Sequence, residues 1–190
     1  MSGPVATVVV RRAGLADAAA IAQVRVDSWR ATYRGLIPDA YLDGMKVEQS
    51  TALWQRVLAA APGTTSVFVA EDGAGVCGFA SGLMLAEPRH ELDAELSAIY
   101  LVPGRQRAGH GRVLVAAVLD AQRAHGATGL LTWVIAGNRG ARRFYEGLGG
   151  ELLVEQPFEW DGMHLVEVGY GWRDLTTLAA AVASNASPGA

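Results

Sequence analysis

A chain of 190 residues, 51% of them hydrophobic, has the size of one globular domain, and its net charge of −3 with a single lysine argues against a nucleic-acid partner. No apolar run reaches the length of a membrane helix, no signal-peptide pattern begins the chain, and Cys77 has no second cysteine to pair with. We therefore expect a cytoplasmic protein with no membrane segment or membrane partner and no internal disulfide.

The first part of the chain predicts one strand followed by helices. Apolar residues at 7–10 indicate a strand, and Asp17 has the position of an N-cap for the next helix. A second helical stretch starts at Pro38, is interrupted near Gly44, and continues through Leu58.

Three strands form a predicted meander in the middle of the chain. Strands at 65–70 and 76–85 flank the run 71–75, whose glycines are typical of a hairpin turn. Cys77 lies in the second strand, and its apolar neighbours indicate a buried thiol rather than a nucleophile. A third strand follows at 95–102.

The strand at 95–102 runs directly into a glycine-rich turn that opens a helix. The first amides of a helix have no partner within it, and its macrodipole is positive there, so this junction predicts a phosphate site. Gln106, Gly109 and Gly111 follow the spacing Gln-x-x-Gly-x-Gly, which leaves room for a pyrophosphate to approach the main chain. Three arginines add positive charge to this turn: Arg105, Arg107 and Arg112.

Two other phosphate-binding motifs do not match this turn. A Walker A loop needs a lysine and a hydroxyl residue after its second glycine, but His110 and Gly111 stand there. A dinucleotide fingerprint needs a third glycine and an acidic residue at the end of the next strand, which runs out at 136–138 instead. A glycine turn that binds no ligand is the structural alternative.

The remaining sequence predicts a crossover, a short helix and a final strand pair. The alanine-rich tail at 174–190 has an apolar half suited to docking as a helix. The other elements are a helix at 111–125, a strand at 130–135, a helix at 138–148, and strands at 152–155 and 165–170 around a turn at Asp161 and Gly162.

A second motif gives the glycine turn its context. Asn138, Phe144, Tyr145 and Gly149 follow the spacing Asn-x-x-Ala-x-x-Phe-Tyr-x-x-x-Gly. The two motifs together resemble the GNAT superfamily of N-acetyltransferases, and the order of elements is similar to that fold over 5–173. The resemblance implies an α/β fold of mixed α+β type. Its central mixed sheet would have six or seven strands flanked by helices, with two parallel strands splayed to form the coenzyme cleft.

The resemblance also implies an activity and a domain plan. One GNAT domain at 5–173, followed by a tail, would transfer an acetyl group from acetyl-CoA to a primary amine, directly in a ternary complex and without a metal. The acceptor would be a small-molecule or peptide amine. Two alternatives are a catalytically inactive acyl-CoA-binding regulatory module and a transferase for a longer acyl-CoA. A monomer and a homodimer both fit the sequence.

Coenzyme-binding positions carry over from the two motifs. They lie at the end of a strand, in the glycine turn, and on the helix that follows the next strand. The implied coenzyme-binding residues are Ile99, Tyr100, Leu101, Val102, Arg107, Ala108, Gly109, His110, Gly111, Arg112, Asn138 and Tyr145. Asn138 has a second interpretation, since an amide side chain at that position also caps a helix.

The resemblance implies catalytic and acceptor residues as well. Tyr145 would assist departure of the thiolate, and Glu95 would act as the base through a water. Trp29 and Tyr33, four residues apart on one helix face, would border the acceptor, or else simply pack. Glu95 is alternatively a solvated strand-end carboxylate, in which case three other acids are candidates for the base: Glu91, Asp93 and Glu159.

Overall fold

A computed structural model of the chain describes residues 8–60 and 63–184. Residue 7 of the predicted first strand, residues 5–7 of the predicted domain and residues 185–190 of the predicted tail lie outside the described residues. In chain order, the elements are β1 (Val9–Arg12), a short 3-10 helix (Leu15–Asp17), α1 (Ala18–Tyr33), α2 (Asp39–Gly44), α3 (Val47–Ala59), β2 (Ser66–Asp72), β3 (Gly75–Arg89), β4 (Leu92–Leu101), α4 (His110–Ala124), β5 (Leu130–Ile135), α5 (Arg139–Glu146), β6 (Glu151–Trp160), β7 (Met163–Trp172) and α6 (Leu175–Ala183).

The seven described strands form one mixed sheet in the order β1-β2-β3-β4-β5-β7-β6. β4 and β5 run parallel, and every other neighbouring pair is antiparallel. The connection between the two parallel strands passes through α4, as a parallel pair requires a crossover. The expected mixed α/β fold with a sheet of six or seven strands is confirmed.

Helices cover both faces of this sheet. α4 packs on one face together with α6, and α1 and α3 pack on the other. The buried positions of α4 recur at helical spacing, so one side of the helix supplies the core: Leu114, Val115, Val118 and Leu119. On the opposite face the core residues of α1 and α3 include Ile21, Val24 and Trp54, and they meet Val69 and Phe79 of the sheet.

β4 and β5 pair only where they begin. A β-bulge at Ser97 breaks the register of β4 against β3. Ser81 opposes Ala98 and the next residue, Gly82, opposes Leu96, so Ser97 has no opposing residue in β3. Beyond Leu96 the two parallel strands share no ladder, so their amide and carbonyl groups face a gap. The paired positions are Ala94 with Leu130, Glu95 with Leu131, and Leu96 with Thr132.

Several strands are longer than the sequence predicts. β3 and β4 extend through 86–94 and meet at a two-residue turn, in which His90 and Glu91 have φ values of 51° and 66°. β6 and β7 likewise continue up to the predicted turn at Asp161. The extended parts include Pro and Glu, which have low strand propensity, so pairing with the neighbouring strand must stabilise them.

The start of α1 also differs in detail from the prediction. Asp17 immediately precedes the helix but makes no side-chain cap bond to it. Its carboxylate instead accepts hydrogen bonds from the Gly14 amide and from both terminal nitrogens of Arg11, each at 2.8 Å. These bonds fix the turn that leads from β1 into α1.

The C-terminal segment joins the core through α6. Leu178 is fully buried and Leu175 nearly so, both in the cluster that contains the buried side of α4. Nη1 of Arg112 donates to the carbonyl oxygen of Ala181 at 2.6 Å. Up to residue 184, therefore, the segment after 173 packs as part of the same core.

Candidate active site

A cavity of about 740 Å³ fills the gap between the separating ends of β4 and β5. Its other walls come from α1, the turn after β4, the first turn of α4, and α5. This volume is typical of a small-molecule or coenzyme site. Of the residues implied to hold the coenzyme, all except Val102 and His110 line the cavity. The Val102 amide instead donates to the Cys77 carbonyl at 2.9 Å, which ties that position to β3.

The turn after β4 exposes a group of backbone amides. Gly104, Arg107 and Gly109 have positive φ values of 88°, 64° and 84°. The first amides that bond within α4 are those of Arg112 and Val113, both to the Gly109 carbonyl. Within the part of the chain that the structure describes, the amides of 107–111 meet no acceptor. They therefore form an anion cradle at the positive end of α4.

Gly111 allows α4 and α5 to approach each other beside this cradle. A Cβ atom at Gly111 would lie 3.2 Å from Cζ of Phe144 and 3.7 Å from a Cδ atom of Leu101. The absence of a side chain thus places the first turn of α4 directly against the aromatic ring of the second motif.

The three arginines near the turn have different roles. Nε of Arg105 pairs at 2.6 Å with Asp72, whose side chain is 1% exposed, and the guanidinium lowers the pKa of that carboxyl below its usual range. Arg112 is engaged with Ala181, as described above. Arg107 is exposed and lines the cavity, as does Arg143 of α5. Among the described residues, Arg107 and Arg143 are thus the cavity-lining arginines whose side chains have no ion pair or hydrogen bond of their own, while Arg105 anchors the turn to the end of β2.

Asn138 and Tyr145 of the second motif both face the cavity. Oδ1 of Asn138 accepts from the Ala141 amide at 3.1 Å and caps α5. Tyr145 is 5% exposed, and this burial raises the pKa of its hydroxyl to about 12, with the Thr132 side chain acting against the rise. The phenol is consequently protonated at neutral pH and available as a hydrogen-bond donor.

The predicted acceptor residues Trp29 and Tyr33 occupy different places. Tyr33 lines the cavity, and burial raises the pKa of its hydroxyl, which the Asn138 side chain opposes. Trp29 lies behind it, 6% exposed, with its ring centroid 4.9 Å from that of Tyr33 and 4.7 Å from that of Trp160. Trp29 therefore positions Tyr33 through packing.

Glu95 lines a second cavity of about 510 Å³ on the sheet, and Trp133 lines both this cavity and the first one. Burial raises the pKa of its carboxyl; Arg89 opposes this rise and Glu167 adds to it. No described residue donates a hydrogen bond to the Glu95 carboxylate. A carboxylate in this state is suited to accepting a proton.

The three alternative acids lie elsewhere. Asp93 accepts hydrogen bonds from the amides of Thr128 and Gly129, each at 3.0 Å, and so joins the starts of β4 and β5. Glu91 is paired with Arg173 at 2.6 Å on the hairpin turn. Glu159 is exposed near the end of β6. None of the three lines either cavity.

Two polar residues of the cleft were not identified from the sequence. The Ser28 hydroxyl donates to the Leu101 carbonyl at 3.1 Å, and the Thr132 hydroxyl donates to the Leu96 carbonyl at 2.9 Å. Both hydroxyls hold carbonyls of β4 on either side of the bulge. A helical serine and a strand threonine are common in any sequence, so only the folded chain identifies them.

Three further features bear on the expectations from sequence. Among residues 8–60 and 63–184, no group of three or more His, Cys, Asp or Glu side chains is arranged to hold a metal ion. No helix in the described ranges combines the length and apolar character needed to cross a membrane. Cys77 is buried in the core, and burial raises the pKa of its thiol.

Comparison with known proteins gives a consistent result. The family model for the acetyltransferase (GNAT) family matches residues 23–149. Over 172 residues the chain is 40% identical to the uncharacterised N-acetyltransferase YuaI of Bacillus subtilis strain 168. The aligned region covers 90% of this chain and 96% of that protein.

Solved structures share the fold. The PaiA N-acetyltransferase of Thermoplasma acidophilum, in complex with coenzyme A, superimposes with a TM-score of 0.65 at 18% identity, over 85% of this chain and 98% of that one. YncA of Salmonella typhimurium, solved with acetyl-CoA, gives a TM-score of 0.63 at 20% identity, over 97% and 99%.

Proposed function

The chain belongs to the GNAT family of acetyltransferases, and on that premise we propose that it moves the acetyl group of acetyl-CoA directly to a primary amine in a ternary complex. One observation carries the proposal. Two parallel strands separate into a cavity that ends at a cradle of amides with no acceptor among the described residues. One continuous surface therefore has sites for a pyrophosphate and for an amide-bearing arm. Two structural neighbours were solved with coenzyme A or acetyl-CoA, which supports the same coenzyme here.

The coenzyme would be held at three places. The amides of 107–111 would bind the pyrophosphate, with Arg107 and Arg143 adding charge. The open edge of β4 at 99–101 would pair with the amide groups of the pantetheine arm. Asn138 would border the arm while its side-chain oxygen caps α5.

When bound, the thioester supplies the acetyl group and a thiolate leaving group. Tyr145 is proposed to donate a hydrogen bond to the departing sulfur. Its pKa of about 12 lies above that of an ordinary thiol, about 8.5. Complete proton transfer from the phenol would thus be uphill, and stabilisation by a strong hydrogen bond is the role that its environment supports.

Glu95 is proposed as the group that accepts the proton of the acceptor amine, directly or through a water. Its carboxyl has a raised pKa and no hydrogen-bond donor among the described residues. It also lines the second cavity, which has Trp133 in common with the coenzyme cleft. A raised pKa brings the base closer to the pKa of the ammonium that it must deprotonate. Tyr33, supported from behind by Trp29, is proposed to border the acceptor.

The proposal is tested by measuring free thiol released from acetyl-CoA and from longer acyl-CoAs against a panel of primary amines, alongside the affinity for each coenzyme. We expect amine-dependent thiol release that is highest with acetyl-CoA. Coenzyme binding with no release for any amine would favour an acyl-CoA-binding module instead. Faster release from a longer acyl-CoA would favour a transferase of that acyl group.

A further inference from the structure

We infer that the second cavity selects an acceptor that carries a positive charge in addition to the reacting amine, and that Glu167 recognises this second charge. The inference rests on the proposed acetylation of an amine, and it names the class of amine. The cavity lies where the end of the β3–β4 hairpin faces β6 and β7 across β5. Its lining residues are Arg89, His90, Glu95, Trp133, Gln156 and Glu167.

The cavity opens on the face of the sheet opposite the phosphate cradle. Glu167 opposes Ile135 on β5, and Trp133 is two residues from Ile135, so the three side chains share one face. Ile135 packs with Trp29 and Tyr33 of α1, whereas α4 covers the other face. An acceptor in this cavity would therefore approach the gap between β4 and β5 from the side away from the pyrophosphate site.

The indole ring of Trp133 lines the cavity and lies close to β7. A Cβ atom at Gly169, the β7 partner of Trp133, would lie 3.0 Å from Cζ3 of the indole. The glycine thus lets the indole lie across β7. An indole face and two carboxylates in one cavity are groups that attract ammonium or guanidinium ions.

The two carboxylates are arranged differently. Nε2 of Gln156 donates to Oε1 of Glu167 at 2.9 Å, which orients that carboxylate from the neighbouring strand. Among the described residues Glu95 has no such bond, and it directly precedes Leu96, which lines the coenzyme cleft. In this arrangement Glu95 would contact the reacting amine, and Glu167 would contact a second charged group farther along the acceptor.

Among the described residues, Arg89 is the one arginine or lysine that lines the cavity, and its charge opposes that of the two carboxylates. Among the described residues it forms no ion pair with either carboxylate. The two carboxylates, Glu95 and Glu167, outnumber the guanidinium of Arg89, so these three groups carry an excess of one formal negative charge. Because the reacting amine must be neutral to attack, one further cation on the acceptor balances this excess of negative charge.

The experiment compares 1,5-diaminopentane with n-pentylamine, which has the same chain length and one amine. Their affinities for the full chain in the presence of coenzyme A are measured by calorimetry at low ionic strength. We expect the diamine to bind about tenfold more tightly to the wild type, as for a hydrogen bond between charged groups. Glu167→Gln should remove most of this preference. Arg89→Gln should increase it, because the opposing cation is gone.

A matched control is Glu155→Gln on β6, since Glu155 is exposed and outside both cavities. This variant should keep the wild-type preference. Equal affinities of the two amines for the wild type would overturn the inference, and so would an unchanged preference in Glu167→Gln. Thiol release with n-pentylamine would then still support the proposed function. Selective diamine binding without thiol release would contradict the proposed function and leave the cavity assignment standing.

Discussion

The phosphate cradle can be tested with two glycines at opposite ends of one helix. Gly109 precedes α4 with a φ of 84°, and Gly126 follows its end with a φ of 94°. A Cβ atom at either position would meet no atom within 4 Å, so neither site is crowded. Gly109→Ala and Gly126→Ala therefore introduce the same backbone strain, but only the first is in the cradle.

The expected magnitudes separate stability from binding. A left-handed conformation costs an L-residue about 1–2 kcal/mol, so both variants should lose a similar free energy of unfolding and melt about 2–8 °C lower. If Gly109→Ala rotates its peptide to relieve that strain, one amide no longer points at the pyrophosphate. Losing one charge-assisted hydrogen bond costs about 1.5–3 kcal/mol, or roughly tenfold to a hundredfold in Kd.

The assay is a calorimetric titration of coenzyme A into each variant, with a thermal melt of the same samples. Gly109→Ala should bind the coenzyme at least tenfold more weakly than Gly126→Ala while melting at a similar temperature. Equal affinities for the two variants, both close to wild type, would refute the assignment of the pyrophosphate to the amides around Gly109.

Three further predictions concern the proposed chemistry and the anchoring of the turn. Tyr145→Phe should lower kcat about tenfold or more with nearly unchanged coenzyme affinity, because the donor to the sulfur is lost; an unaltered kcat would remove Tyr145 from the mechanism. Glu95→Gln should lower kcat/KM. In the wild type we expect kcat/KM to fall as pH drops through the raised pKa of Glu95, and this acidic limb of the pH profile should be absent from the variant. The control Glu159→Gln should keep that limb, and a pH profile unchanged by Glu95→Gln would exclude Glu95 as the base. At pH values above the ordinary pKa of Asp, Asp72→Asn should weaken coenzyme binding and lower the melting temperature. Both differences from the wild type should vanish as pH falls through the lowered pKa of Asp72. A loss that persists at acid pH would point to packing instead of the Arg105 pair.

Local patterns made much of the cleft predictable. The glycine turn and the helix after it depend on residues close in sequence, so the spacing of Gln106, Gly109 and Gly111 indicates both the element and the free amides. The helix cap at Asn138 is local in the same way, and the structure contains it. The parallel pair of strands followed from the crossover through a helix.

Features that depend on distant partners could not be predicted. Arg105, Arg107 and Arg112 all lie within eight residues of one another. Nevertheless Asp72 engages Arg105 and Ala181 engages Arg112, from 33 and 69 positions away. The bulge at Ser97 exists only against β3. The second cavity also depends on residues that are distant in sequence, because no spacing in the sequence relates its lining residues on β4, β5, β6 and β7.

The central claim is that the amides at the start of α4 bind the pyrophosphate while the thioester end of the coenzyme lies between β4 and β5. A crystal structure with acetyl-CoA measures this directly. We predict pyrophosphate oxygens at about 3 Å from the backbone nitrogens of 107–111, and pantetheine amides paired with the β4 edge at 99–101. A coenzyme bound elsewhere, or a complex in which β4 and β5 pair along their full length, would contradict the account.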